Sequence, residues 1–414
     1  MNKFFNLLKK NQIYLNYNQK RYNFILKSLK FKNKISVIFL VNHVSQWKYQ
    51  ELYEIFNIRD RFNVNVIFIP DENYNKNYHN EYLFNKNEFK KRNINLISSY
   101  DNSLKLWKNL NFLFKPDIVF YSRILLKSKC KYSIYDFKNS LNCYVPYSLF
   151  IDKNDKLQCG TTFHKLLWKQ FLPFKENLKI AKNIYDAKNV VISDYLGCDF
   201  FKINTYSNVT WKNKSHKKII LAPHHTIDFA YKQNYFSTFL KLSDDFINLS
   251  IKYKNMIDFC FKPHPALKEK LYSHKDWGYQ KTNDYYNFWN NGSNTILSEA
   301  NYHDLFVQSD ALILDSVSFA AEYLYLNKPY CFLIKDNYDY DSSLNEIGKK
   351  IFKIINKSNN INSIENFIIN NVIKVNKIQL NHQNQILNEL NVLNKNNKLA
   401  SEYIYEYIEK SIFS

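Results

Sequence analysis

The chain has 414 residues, 45% of them hydrophobic and 17% aromatic, and its 58 basic and 37 acidic side chains give a formal net charge of +21. This apolar content excludes an intrinsically disordered chain, and at roughly 100–200 residues per domain the length predicts two domains. The positive charge favours polyanionic partners (nucleic acid, an anionic membrane surface or a phosphate-bearing substrate), although a composition rich in Lys and Asn accounts for part of it.

Residue spacing excludes several classes of site. The five glycines are too scattered for a Rossmann fingerprint or a P-loop. The six cysteines contain no CxxC pair, which argues against a zinc site and against a disulfide framework. No apolar run reaches the roughly 18–20 residues that span a bilayer, and the N-terminus lacks the apolar core of a signal peptide. We therefore expect a cytoplasmic protein with reduced thiols.

Residues 1–34 form a basic leader with nine Lys or Arg residues and no acidic residue. Its apolar residues can line one face of a helix, and a basic amphipathic helix can lie peripherally on the anionic inner face of the plasma membrane. The alternative is an ordinary surface helix that packs on its own domain, and the sequence favours this alternative.

Between residues 35 and 205, short β-rich runs alternate with helical patterns, which predicts an N-terminal α/β domain with a parallel sheet. The predicted strands are Ile35–Val41, Val64–Ile69, Ile94–Ser98, Asp117–Tyr121, Asn142–Val145 and Val190–Ser193, and the predicted helices include Glu81–Arg92 and Leu104–Leu113.

The polar segment Asn204–Lys217 predicts a linker, after which the alternation restarts. We predict a second α/β domain over residues 218–345 and C-terminal helices over residues 346–414. Its predicted elements are Lys218–Ala222, Phe236–Tyr253, Ile257–Lys262, Ala266–Tyr272, Thr295–Leu297, Tyr302–Gln308, Ala311–Leu314, Phe319–Leu326 and Tyr330–Ile334. Two such domains face a cleft in the simplest architecture, and ligands of parallel sheets bind beyond the carboxyl ends of the strands.

Polar residues follow three predicted strands of the second domain: Ala222–Thr226, Lys262–Pro265 and Asp315–Ser318. Together they offer imidazoles, an ammonium group, hydroxyls and a helix N-terminus, which suit an anionic ligand such as a pyrophosphate. Glu322 lies inside the helix that follows and is placed to accept hydrogen bonds from ribose hydroxyls. Capping without ligand binding is the alternative for Asp315–Ser318.

Four histidines are candidates for the chemistry. Proline on both sides of His264 restricts its backbone, and its imidazole lies beside Lys262, where both can donate to phosphate. Only one of His224 and His225 is expected to reach the site, because adjacent side chains after a strand point apart. His43, after the first strand of the N-terminal domain, is a candidate general base, with loop capping as the alternative.

The segment Lys262-Pro263-His264-Pro265, followed by Ser309–Ser318, Glu322 and Asn327-Lys328-Pro329, resembles the CDP-glycerol glycerophosphotransferase family. Members of that family make teichoic acids or decorate bacterial capsules. The resemblance covers Lys218–Lys335, with Lys262 where arginine is usual, and it implies a GT-B-like fold of two Rossmann-like domains.

The resemblance implies a CDP-linked donor that is a substrate, with no resident cofactor. His264 would stabilise the leaving CMP, Ser316 and Ser318 would bind phosphate oxygens, and Asp315 would lie in the same site. The family commonly carries its base in a Trp-His-Gly segment, whereas the corresponding strand end here, Cys143–Ser148, has no histidine. His43, His224 and His225 are then the candidate bases, and a phosphoramidate becomes a second candidate for the transferred group.

The expected acceptor is a hydroxyl of a surface glycan, free or lipid-linked. No Asp-x-Asp follows a predicted strand, so we expect no essential metal. The first alternative is a GT-B glycosyltransferase that uses a nucleotide sugar for capsule or lipooligosaccharide synthesis. The second alternative, a nucleic-acid binder, is disfavoured because the sequence contains no zinc pattern, RNP signature or basic recognition helix.

Overall fold

The computed structural model describes residues 18–70, 78–125, 132–203, 211–227, 237–299, 302–375, 377–390 and 398–414. The chain divides into two compact units. Unit 1 comprises Met1–Leu149, Asn154–Asp199 and Leu390–Ser414, and unit 2 comprises Phe150–Lys153 and Phe200–Glu389.

Strands and helices alternate along most of the chain. The strands are β1 (Ile35–Val41), β2 (Phe62–Phe68), β3 (Leu96–Ser98), β4 (Tyr100–Asp101), β5 (Leu106–Trp107), β6 (Ile118–Tyr121), β7 (Leu141–Tyr144), β8 (Lys169–Leu172), β9 (Val190–Ile192), β10 (Lys217–Ala222), β11 (Ile257–Phe261), β12 (Thr295–Leu297), β13 (Ala311–Leu314), β14 (Tyr330–Leu333) and β15 (Asn356–Ser358). The helices are α1 (residues 18–29), α2 (Gln50–Asn57), α3 (Tyr78–Lys90), α4 (Leu110–Phe114), α5 (Asp155–Cys159), α6 (Thr162–Leu166), α7 (Lys175–Tyr185), α8 (Phe239–Lys252), α9 (Leu267–Tyr272), α10 (Gly278–Asn291), α11 (His303–Gln308), α12 (Val317–Tyr323), α13 (Tyr340–Ser343), α14 (Glu346–Ile354), α15 (Ile361–Phe367), α16 (Lys377–Leu390) and α17 (Ala400–Phe413).

Unit 1 contains a seven-stranded parallel sheet in the order β3-β2-β1-β6-β7-β8-β9, with β4 and β5 forming a separate antiparallel pair. Strand β1 is buried along its whole length, as expected for a strand whose two faces are both covered. Its side chains alternate between two cores: Val37 and Phe39 enter one cluster, and Ile38 and Leu40 enter the other.

Unit 2 contains a six-stranded parallel sheet in the order β12-β11-β10-β13-β14-β15. The strand order reverses between β10 and β13, and this switch point is where ligands of open parallel sheets bind, just beyond the carboxyl ends of the strands. The residues that follow β10, β11 and β13 therefore share one edge of the sheet.

The prediction of parallel α/β domains is confirmed. The predicted strands Ile35–Val41, Thr295–Leu297 and Ala311–Leu314 match the structure, and the other predicted strands differ by one or two residues at their ends. The predicted helix Leu104–Leu113 is wrong: Lys105 has a left-handed φ of 52°, and the segment turns back to pair Leu106–Trp107 with β4 before the short helix α4.

The first and last parts of the chain do not form the separate leader and separate helical segment that the sequence predicts. Residues 18–29 of the basic leader are helical and bury Tyr22, Ile25 and Leu29 in the core of unit 1, whereas residues 1–17 lie outside the described part. The predicted C-terminal helices of residues 346–414 divide between the units, because α17 buries its apolar face in unit 1 while α14 and α15 belong to unit 2.

The C-terminal helix α17 is fixed to unit 1 by a buried carboxylate. Asp199 is 1% exposed and accepts hydrogen bonds from the backbone N–H groups of Ala400 and Ser401, at 2.9 and 2.7 Å. These are first-turn donors that have no partner within the helix. None of the helices in the described part of the chain has the length and apolar character needed to span a bilayer.

Candidate active site

The turns after β10 and β11 lie side by side at one edge of the unit 2 sheet. The backbone N–H of His264 donates to Pro223 O at 3.0 Å, which joins the two turns directly. As a result, the three imidazoles of His224, His225 and His264 cluster, with ring centroids 4.1–5.0 Å apart. The sequence predicted that one of the adjacent histidines would reach the site, and the structure brings both to it.

The hydrogen bonds at Nδ1 determine which ring nitrogen carries the proton. Nδ1 of His264 accepts from the backbone N–H of Ala266 at 3.1 Å. Nδ1 of His225 lies 3.0 Å from Nζ of Lys270, an ammonium group that can only donate. In both rings the proton of the neutral imidazole therefore sits on Nε2, so each ring can donate a hydrogen bond without carrying a charge.

His224 differs from the other two. Its Nδ1 lies 3.1 Å from the Thr226 hydroxyl, which can accept as well as donate, so the ring can hold its proton on either nitrogen. Burial, with His225, His264 and Lys270 adding to it, lowers the pKa of His224 to about 2. Burial, with His225, Lys262 and Lys270 adding to it, lowers the pKa of His264 to about 3.

The ligand atoms of these three histidines lie within 4.8 Å of one another, which is close enough to surround a metal ion. An imidazole that binds a metal through Nε2 normally donates its Nδ1–H to an acceptor. The Nδ1 atoms of His264 and His225 instead face hydrogen-bond donors. The donor set therefore fits an anion better than a metal ion.

Lys262 places a positively charged group close to the histidine cluster. Its side chain follows β11, is 4% exposed, and interacts electrostatically with the carboxylate of Glu299. Burial lowers the pKa of Lys262 to about 8. A buried ammonium group is costly unless it is paired, so an anion bound here would offset that cost.

Asp315, which the resemblance places in the same site, has a carboxylate whose hydrogen bonds come from neighbouring turns. It is fully buried after β13 and accepts hydrogen bonds from the His224 N–H, the Ser237 hydroxyl, and both the N–H and the hydroxyl of Thr238. Burial raises the pKa of Asp315 to about 6, and these hydrogen bonds act in the opposite direction. The carboxyl group therefore positions the His224 turn and the start of α8.

Replacing Asp315 by alanine should destabilise unit 2 and disorder the histidine cluster. Each buried donor that loses its acceptor costs about 1–3 kcal/mol, so we expect a loss of at least about 3 kcal/mol. At about 2–4 °C per kcal/mol, the melting temperature should fall by roughly 6–12 °C in a calorimetric scan.

A matched control is Asp310→Ala, at the other end of β13. The Asp310 carboxylate is partly exposed and pairs with Lys217 at 3.3 Å, so its loss should cost far less. Equal melting temperatures for the two variants would contradict the positioning role of Asp315.

The other predicted residues of unit 2 are Ser316, Ser318 and Glu322, which lie at the start of α12 or within it. Ser316 is the N-cap residue of α12 but makes no side-chain capping bond, so its hydroxyl and that of Ser318 in the first turn are not used for capping. Glu322 is 2% exposed and accepts a hydrogen bond from the Tyr302 hydroxyl. It therefore belongs to the buried face of α12.

His43 lies in unit 1, after β1. Its Nδ1 accepts from the Ser45 N–H at 3.1 Å and caps a short 3-10 turn, which puts the neutral-ring proton on Nε2. This hydrogen bond favours the loop-capping alternative and disfavours His43 as a base. The β7 end, Cys143–Ser148, carries no histidine in the structure either.

Sequence reasoning missed the residues that hold the cluster in place. Lys270, one turn into α9, contacts both Nδ1 and the carbonyl oxygen of His225 at 3.0 Å. Thr226, Ser237 and Thr238 complete the support through hydrogen bonds to His224 and Asp315. Their spacing carries no recognisable motif, because the partners are brought together only by the fold.

Comparison with known proteins matches the model of the CDP-glycerol:poly(glycerophosphate) glycerophosphotransferase family to residues 204–410, which include the whole cluster. The chain belongs to this family. It is thus a CDP-glycerol glycerophosphotransferase-like enzyme, as the resemblance in the sequence predicted. No curated protein matches the chain.

Solved structures show the same fold at low identity. The wall teichoic acid polymerase TagF is 16% identical with a TM-score of 0.55, and the match covers 98% of this chain and 96% of TagF. A UDP-GlcNAc 2-epimerase from Neisseria meningitidis bound to UDP-GlcNAc is 13% identical (TM-score 0.56, 91% and 100% covered), and a MnaA–UDP co-structure from S. aureus is 14% identical (TM-score 0.57, 91% and 96% covered). The predicted GT-B-like class is therefore confirmed.

Proposed function

We propose that this family member transfers a phospho-alditol, glycerol phosphate or a related phosphoryl group including a phosphoramidate, from a CDP-activated donor to a hydroxyl of a bacterial surface glycan. The observation that carries the proposal is the cluster of His225 and His264, both with Nε2–H donors, and the buried Lys262 ammonium at one edge of unit 2. This edge lies inside the segment that the family model matches.

The donor set suits the diphosphate of such a donor. Lys262 supplies a charge with little competing water, and the two imidazoles supply directed hydrogen bonds. Preorganised donors of this kind stabilise charge that develops in a transition state. As the bond between the distal phosphorus and the bridging oxygen breaks, negative charge accumulates on the departing CMP, and His264 with Lys262 would stabilise it.

The acceptor proton needs a base, and His224 suits this role best among the candidates. Its ring can place the proton on Nδ1, next to the Thr226 hydroxyl, and leave Nε2 to accept a proton. The acceptor oxygen would then bond to the distal phosphorus while its proton moves to Nε2 of His224. Such displacement depends mainly on positioning and on charge neutralisation, for which Lys262 and the imidazoles can serve without a metal ion.

The experiment that tests the proposed donor is a thermal shift of the intact protein with CDP-glycerol, CDP, UDP and GDP. At a ligand concentration 100 times Kd, binding adds about 2.7 kcal/mol, which raises the melting temperature by roughly 5–10 °C. We expect this for the cytidine nucleotides. A clearly larger shift with UDP or GDP would overturn the proposal in favour of a glycosyltransferase that uses a nucleotide sugar.

A peripheral membrane position is part of the proposal, because the leader is basic and a lipid-linked acceptor would lie at a membrane surface. Helix α1 buries three side chains in unit 1, so the informative deletion is residues 1–16 and leaves α1 intact. We expect this deletion to reduce co-sedimentation with anionic vesicles and to leave the CDP-induced thermal shift unchanged. Equal sedimentation of both forms would assign the leader's charge to composition.

A further inference from the structure

Unit 1 contains a cavity of about 310 Å³ that the function above does not use. It is bounded by α1, by α17 and by the segments that lead into β8 and β9. It therefore lies at the amino ends of these strands, whereas ligands of open parallel sheets usually bind at the carboxyl ends. Its volume is at the lower end of the range for sites that enclose small molecules.

The cavity is positively charged. Among the described residues that line it, three are lysines, Lys165 before β8, Lys169 at the first position of β8 and Lys188 before β9, and one, Asp186, is acidic. Lys169 Nζ lies 5.5 Å from the ring centroid of Tyr407, so its ammonium group is held against an aromatic wall. Lysine ammonium groups bind phosphate as compact point charges.

The walls of the cavity are fixed by side-chain hydrogen bonds to backbone carbonyl oxygens. The Asn189 side chain donates to the carbonyl oxygens of His164 and Leu167, at 2.8 and 3.1 Å. The Tyr22 hydroxyl donates to Leu166 O at 2.7 Å. Such a cavity does not need to be ordered by its ligand, which lowers the entropic cost of binding.

A polar group in the lining lacks a partner. Asn18 at the start of α1 is 5% exposed, and its Nδ2 makes no hydrogen bond to any residue that the structure describes. A buried amide donor without an acceptor costs about 1–3 kcal/mol, which an acceptor oxygen of a ligand would offset. Ammonium groups, amides and aromatic rings together fit a ligand that carries phosphates, hydroxyls and C–H faces.

We propose that this cavity binds a phosphate-bearing segment of the polyol-phosphate or glycan acceptor, as a second contact away from the histidine cluster. The identity of the ligand rests on the proposed function, because a transferase that adds phospho-alditol units to a growing chain uses that phosphate-bearing chain as its acceptor. A second contact on the polymer raises its effective concentration at the enzyme without any change in donor binding.

The test is calorimetric titration of the full chain with a synthetic glycerol phosphate tetramer, inorganic phosphate and anionic vesicles as separate probes. The double variant Lys169→Glu/Lys188→Glu is compared with Lys182→Glu, which alters an exposed lysine of α7 outside the cavity. We expect the double variant to bind the tetramer at least about tenfold more weakly, the scale of 1.4 kcal/mol, and the control to bind it normally.

The CDP-induced thermal shift separates this inference from the proposed function and confirms folding. If the double variant keeps that shift and binds the tetramer as the wild type does, the cavity is not an acceptor site. A change confined to vesicle binding would also overturn the inference, because it would assign the lysines to a lipid surface. Absence of the CDP shift in the wild type would instead refute the proposed function.

Discussion

Replacing His264 by alanine is expected to lower turnover by about 10²–10³-fold, the scale for loss of one preorganised donor to a developing charge. The reason is geometric: the Ala266 N–H at Nδ1 fixes the ring with its Nε2–H as donor. The effect should be on kcat more than on KM, because the contact strengthens as charge builds up on the leaving CMP. Steady-state kinetics with a CDP-linked donor measure it.

Two further variants sharpen the His264 test. His264→Gln retains an N–H donor on a side chain of similar length and should recover part of the lost turnover. His274→Ala is the matched control, because Nδ1 of His274 also accepts from the N–H two residues later, from Asp276, and this histidine lies outside the cluster. A folded His264→Ala enzyme with turnover equal to the control would remove His264 from the mechanism.

Replacing His224 by alanine is expected to lower kcat by about 10²–10⁴-fold, the range for loss of a general base, while CDP still binds. The pH profile gives a second readout that loss of structure would not imitate. The pKa of His224 is lowered to about 2 in the free protein, and a bound diphosphate should raise it by its negative charge.

Protonation of His224 should reduce activity at low pH. The pH dependence of kcat reports the pKa of His224 in the donor complex, and that of kcat/KM reports its pKa in the free enzyme. In the wild type, kcat should therefore begin to fall at a higher pH than kcat/KM. The fall of kcat at low pH should disappear in His224→Ala. An unchanged fall in this variant would assign the base to another group, and normal kcat would exclude His224 from proton transfer.

The fold could be predicted from the sequence where buried strands are encoded as runs of apolar residues. Strands β1 and β13 are short apolar runs, buried along their whole length and followed by a polar residue, the pattern of parallel strands covered on both faces. Strand β8 escaped prediction because it has four residues, two of them polar. Helix α10 was missed because its buried face is made of aromatic residues such as Tyr285 and Trp289 within a polar sequence.

The position of the site could be predicted from the sequence, whereas the residues that support it could not. Strand ends locate His224 and His264 at one edge, because carboxyl ends of neighbouring parallel strands meet there. The role of Asp315 depends on donors from residues 77–91 positions away, and the tautomer of His225 depends on Lys270, 45 positions away. Such long-range hydrogen bonds have no local sequence pattern.

In the proposed reaction the enzyme cleaves the bond between the distal phosphorus and the bridging oxygen, so that CMP is the leaving group. Phosphorus NMR of a reaction with CDP-glycerol and a glycerol phosphate oligomer tests this most directly, because the two bond cleavages give different nucleotides. We predict that CMP and a new phosphodiester appear together at equal rates, and that both are suppressed in His264→Ala. Release of CDP, or consumption of UDP-GlcNAc while CDP-glycerol stays intact, would contradict the account.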